Sequence, residues 1–66
     1  MEIVKSMKLL NTSEVSGMTG IPESTLRYYR HKGVGPKSGK LASRVVYREK
    51  DVLDWVNAAF EAEATA

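Results

Sequence analysis

Apolar residues recur at the spacing of a helix face in three stretches of the chain, and between the second and third they read as paired strands. Met1 to Lys8 has no clear period and is expected to be irregular or briefly extended, after which Leu9-Leu10 supplies the first core anchors. Asn11-Thr12-Ser13-Glu14 reads as a helix start: a Thr or Asn oxygen can accept the free N–H groups of a first turn, and Glu14 sits near the positive end of the helix dipole. The first helix is expected from about Ser13 to Thr19, with Val15 and Met18 buried beside Leu9 or Leu10. Gly20 ends it, because glycine adopts the left-handed backbone of a helix terminus without steric conflict.

Ile21-Pro22-Glu23-Ser24 opens a second helix, whose first turn tolerates the missing N–H of proline and favours an acid. Leu26 and Tyr29 are expected to bury together, with Ile21 plugging the turn. The opposite face gathers Ser24, Arg27, Tyr28 and His31 at i, i+3, i+4 and i+7, with Arg30 on its flank. That stripe is polar, aromatic and basic at once, which a merely solvated face seldom is. Gly33-Val34-Gly35-Pro36 stops the helix and turns the chain.

Two short runs follow, from about Ser38 to Ala42 and from Arg44 to Tyr47, and read as a β-hairpin with Lys40 and Arg44 near its tip. Two strands alone are marginal in water, so the hairpin must pack on the helices. A last helix is expected from about Glu49 to Phe60, with Glu49 and Asp51 in its first turn. Val52, Leu53, Trp55, Val56, Ala59 and Phe60 form its wide apolar stripe, with Trp55 as the largest core element. Glu61 to Ala66 should fray. The predicted fold is α+β, mostly α: a winged helix-turn-helix, made of a helix-turn-helix, a two-stranded wing and a C-terminal helix.

At 66 residues the chain has room for one domain, with its core over about residues 9–60 and flexible termini. It has no cysteine, so neither a disulfide nor a Cys-ligated zinc can staple the fold. No stretch reaches the roughly 18 apolar residues of a membrane span, and no signal-peptide core follows Met1, which predicts a soluble protein of the cytoplasm.

The net charge of +2 is unremarkable, but its distribution is not. From Ser24 to Arg48 the chain carries Arg27, Arg30, Lys32, Lys37, Lys40, Arg44 and Arg48, together with His31 and no acid, a net +7. The remainder holds all eight acids against three cations, a net −5. Such segregation is expected where one surface meets phosphates and the rest need only be soluble, and the interleaved Leu26, Tyr28, Tyr29, Leu41, Val45, Val46 and Tyr47 argue for a folded surface rather than a basic tail. The other reading of the run is a solvated set of charges.

A helix is about as wide as the DNA major groove, so one exposed stripe can meet base edges while flanking cations neutralise phosphates. Arg27 is the first candidate for a base or close phosphate contact, because its planar fork can pair two acceptors. Ser24, Thr25 and Tyr28 can reach phosphate oxygens through their hydroxyls, although Tyr28 could instead cap the core with its hydroxyl in water; Tyr29 reads as core. Arg30, Lys32, Lys37 and Lys40 are expected to position the protein, with His31 on the same helix. In the wing, Ser43 stands beside Arg44, whose guanidinium suits a narrow minor groove. Arg48 belongs either to the wing or to the start of the last helix.

Arg27-Tyr28-Tyr29-Arg30-His31 contains the residue types of tyrosine-nucleophile recombinases, but neighbours on a helix point apart and cannot converge on one phosphate, so no enzyme is expected. His31 is a lone histidine, so no metal is expected. Gly33-x-Gly35 lacks the preceding strand and third glycine of a nucleotide loop, so no cofactor is expected either.

From Leu10 to Phe60 the chain resembles the MerR-like winged-helix proteins, and among them the small excisionases of temperate phages, including those of mycobacteriophages. The resemblance lies in Thr12-Ser13-Glu14-Val15, Thr25-Leu26-Arg27-Tyr28-Tyr29-Arg30, Gly35-Pro36-Lys37, Val45-Val46-Tyr47-Arg48 and Asp51-Val52-Leu53-Asp54-Trp55. It implies a recombination directionality factor: a non-catalytic protein that binds repeated sites in attachment-site DNA, bends it, and helps a phage integrase assemble the excision complex. The same domain also serves as a small phage or prophage transcription regulator. MerR regulators proper continue into a dimerisation helix and effector domain, whereas this chain stops after Phe60 with six small or acidic residues. The expected partners are therefore double-stranded DNA, an integrase and further copies side by side on DNA, with no membrane and no small-molecule effector. Gly39, where relatives often carry a bulky residue, is expected to loosen the wing. A reading of a different class is a protein-interaction module docking its basic face on an acidic partner.

Overall fold

The computed structural model describes residues 8–64, so what the sequence suggests for residues 1–7 and 65–66 lies outside the described part. The elements run β1 (Leu9–Leu10), α1 (Thr12–Thr19), α2 (Glu23–Lys32), β2 (Gly39–Leu41), β3 (Arg44–Arg48) and α3 (Glu49–Ala64). This is the order of a winged helix-turn-helix, mostly helical with a small antiparallel sheet.

Asn11, not Thr12, caps α1. Its side-chain oxygen accepts the Glu14 N–H at 2.7 Å, and the Glu14 carboxylate accepts the Asn11 N–H at 2.8 Å. This reciprocal box satisfies two orphan donors and starts the helix one residue earlier than expected. At the other end Gly20, at φ 80°, donates to the Ser16 carbonyl at 2.8 Å. The Thr19 hydroxyl donates to Val15 O at 2.7 Å and accepts from the Ile21 N–H at 3.2 Å, which locks the chain into its turn. Pro22 stands just before α2 rather than within its first turn, and its carbonyl accepts from the Thr25 and Leu26 N–H groups at 3.0 and 3.1 Å. Three residues, Gly20 to Pro22, therefore join the two helices, which is the turn length of a helix-turn-helix.

Past the C-terminus of α2, Gly35 has φ 81° and lies against Tyr29: a Cβ there would come within 3.0 Å of the ring's Cδ2. Only glycine allows both the backbone angle and the approach. The chain then forms the β2–β3 hairpin, in the register Gly39↔Val46, Lys40↔Val45 and Leu41↔Arg44. Ala42 and Ser43 make its two-residue turn with φ 50° and 70°, the positive sign that a primed hairpin turn demands, here without glycine.

The sheet has three strands rather than the two of the expected wing. β1 pairs antiparallel with β3, Leu9 opposite Arg48 and Leu10 opposite Tyr47, which gives the order β1-β3-β2. The Glu49 N–H donates to the Lys8 carbonyl at 2.9 Å and carries the pairing into the first residue of α3. Two residues have no periodicity to read, and their partner lies far along the chain, so this strand is not visible in the pattern.

The core consists of Leu10, Val15, Leu26, Tyr47 and Val52, with Ile21 and Val45 packed against it. Alternation along β3 puts Val45 and Tyr47 on the inner face. Several expected core residues lie elsewhere. Met18 is 42% exposed, and Leu53 and Phe60 are 46% and 73% exposed; Ala59 is exposed as well. Val56 is half-buried. Trp55 is also only half-buried, and Tyr47 is the largest side chain fully enclosed. Tyr29 is half-buried rather than sunk beside Leu26, with its ring 6.2 Å from that of Trp55. The physical reason is size: a core this small is filled by one side chain from each helix, so a second apolar ridge has nothing left to cover it. α3 also runs to Ala64, four residues past the expected end at Phe60, because Ala and Glu are strong helix formers and continue it without packing.

Candidate nucleic-acid interface

α2 positions most of the candidate residues. Leu26 anchors one face in the core, which turns Ser24, Arg27, Tyr28 and His31 outward, all of them exposed. Arg30 and Lys32 are exposed on the same helix, while Thr25 is half-buried. Tyr28 is 57% exposed, so its ring does not cap the core. The Lys32 ammonium lies 5.8 Å from the centre of that ring, a cation–π contact that steadies both side chains at an exposed site. Tyr28 and Tyr29 meet at 6.5 Å, and Tyr29 meets Trp55, so a row of rings ties the outer stripe of α2 to α3.

The other candidates lie beyond the helix. Lys37 is exposed in the connection to the hairpin, Lys40 is exposed on β2, Ser43 forms the second half of the turn and Arg44 begins β3. Arg48 closes β3 and donates from Nε to Asp51 Oδ2 at 2.7 Å, so it joins the wing to the first turn of α3. Arg44, Val46 and Arg48 share the outer face of β3, where Leu9 and Leu41 pair with Arg48 and Arg44. A groove of about 400 Å³ runs over this face between Leu9, Leu41 and Val46, with Lys37 and Arg48 on its rim. A second, of about 370 Å³, continues from the same three apolar residues to Glu14 and Arg44.

Glu23, besides complementing the dipole of α2, places its carboxylate 3.5 Å from the Arg27 guanidinium, one helical turn on. Sequence reading missed this contact, although the four-residue spacing on one helix is a signal for it. Charges on α3 are more closely matched: Lys50 donates to Asp54 at 2.8 Å, and this bond, then the Asp54 charge, holds the Lys50 pKa above its ordinary value. Among the described residues no three His, Asp or Glu side chains gather as a metal site, and no helix is long and apolar enough to cross a membrane.

A helix offered outward after a three-residue turn, followed by a cationic hairpin, defines a DNA-binding helix-turn-helix protein. The family model described as "Helix-turn-helix domain" matches residues 9–59, and the chain belongs to that family. No curated protein and no solved structure matches it. The match spans β1 through most of α3.

Proposed function

We propose that the protein is a non-catalytic excisionase, which binds repeated sites in phage attachment DNA, bends the duplex and helps an integrase carry out excision in the host cytoplasm. DNA binding rests on the helix-turn-helix family, and the observation that supports its mode is the outward stripe Ser24, Arg27, Tyr28 and His31 on α2 followed by an acid-free cationic hairpin. In this reading α2 enters the major groove, with Arg27 at base edges and Ser24, Thr25 and Tyr28 at phosphates. Arg30, His31, Lys32, Lys37 and Lys40 position the protein, and Ser43, Arg44 and Arg48 bring the wing to the adjacent groove. The excisionase role follows from the resemblance of the quoted motifs to that family. Side-by-side binding of further copies is supported by the open apolar grooves over the sheet and by exposed Phe60 on α3, surfaces that a partner would cover.

Two measurements test this. With about six phosphates contacted, binding to duplex DNA should weaken by roughly a thousandfold between about 50 and 200 mM salt, and a protein that ignores duplex DNA at low salt has another function. In reconstituted recombination, adding the protein to a cognate integrase should switch on excision. If it leaves excision unchanged yet represses a promoter carrying its site, it is instead a small transcription regulator.

A further inference from the structure

We infer that Glu23 is a specificity-determining residue, which with Arg27 reads one G·C base pair in the major groove; the inference rests on the DNA-binding reading of α2. Glu23 is the one acid between Glu14 and Glu49, and it stands as the first residue of the helix that reads DNA. The N-terminal residues of such a helix lie nearest the base edges. A carboxylate there repels phosphates, so on affinity alone it is out of place amid seven cations. Its geometry supplies a reason. The Glu23 carboxylate oxygen and the Arg27 guanidinium nitrogen lie 3.5 Å apart, both side chains well exposed. They present an acceptor and a forked donor side by side.

The major-groove edge of a G·C pair presents the complement of that arrangement. Guanine offers N7 and O6 as acceptors, and cytosine offers its N4 amino group as a donor. O6 and N4 are hydrogen-bonded to each other, so they lie about 3 Å apart, close to the spacing of the two side chains. Arg27 takes the guanine and Glu23 the cytosine. Before binding, the same contact holds the guanidinium near the first turn of α2. At a C·G or A·T pair the amino group moves away from Glu23, and at a T·A pair adenine N6 replaces it but Arg27 meets a thymine methyl where guanine N7 stood, so every other pair loses at least one of the two contacts. The residue thus lowers affinity for all DNA and lowers it least for the right site.

The test begins with selection of duplexes from a randomised library by the native chain and by Glu23→Gln and Glu23→Ala, followed by titration of a recovered duplex and an unrelated one of equal length. The native chain should recover sites with a fixed G·C pair, and both variants should relax that position alone. Discrimination at that pair should fall between about 5-fold and 100-fold, while the unrelated duplex is bound several-fold more tightly. Unfolding curves should stay close to native, since Glu23 contributes only a dipole and surface-pair effect. If the variants recover the same consensus with the same selectivity, Glu23 has no reading role although α2 still binds DNA. If the native chain binds no duplex, the inference falls together with the reading beneath it.

Discussion

α2 and α3 each enclose a single side chain completely, Leu26 in one and Val52 in the other, and present most of their remaining surface to water. They differ in how that surface is charged. α2 carries Arg27, Arg30, His31 and Lys32 with one acid, Glu23, and its last turn holds the basic residues Arg30, His31 and Lys32. α3 carries Glu49, Asp51, Asp54, Glu61 and Glu63 with one cation, Lys50, which pairs with Asp54, while Asp51 pairs with Arg48. Arg30 has no acidic partner among the described residues. The excess of acids on α3 disfavours a phosphate backbone, whereas the open cations of α2 favour one. The cations at the end of α2 also favour the helix dipole, so this concentration of charge does not work against folding.

The contrast can be tested by separating the inner from the outer face of α2. Leu26→Ala should cost about 2–5 kcal/mol of stability by opening the core, read from thermal or denaturant unfolding. A small effect would mean that α2 is held by something other than its buried anchor. Arg27→Ala should weaken site-specific binding by about 1–3 kcal/mol and leave unfolding unchanged. Unfolding that falls in step with binding would place Arg27 in the fold instead. Asn11→Ala removes the side-chain half of the α1 capping box and should cost about 1 kcal/mol in stability, with equal losses in affinity for all duplexes only as the folded fraction declines. A smaller effect is expected from Lys40→Ala, which should weaken all sequences alike and reduce the salt slope by about one. Asp54→Ala on α3 should leave binding to DNA unweakened, and a loss there would break the division between the two helices.

Much of this division is legible in the chain before any coordinates. The helix-turn-helix shows because Gly20, Pro22 and Gly33 punctuate it and because Val15 and Leu26 fall on helical ridges, and the hairpin shows because small residues separate the β-branched and aromatic run Val45, Val46 and Tyr47 from the run before it. The outward stripe of α2 is legible for the same reason: once Leu26 faces in, Arg27 and Tyr28 face out. What the pattern does not reveal is non-local. β1 exists only because Leu9 and Leu10 find β3, and Tyr47 outranks Trp55 in the core because strand parity, not side-chain size, decides which ring points inward. Apolarity likewise does not tell whether Met18, Leu53 and Phe60 have anything to lean on, since that depends on how far the neighbouring elements extend.

The bond from the Glu49 N–H to the Lys8 carbonyl sets a boundary for anyone trimming or tagging this protein. A fragment that starts at α1 would keep the recognition helix whole yet strip the cover from Tyr47 and leave the central strand with a raw edge. Fusion partners therefore belong upstream of Lys8 through a pliant spacer, and the shortest self-sufficient version must retain a stretch that touches no DNA in the proposed mode.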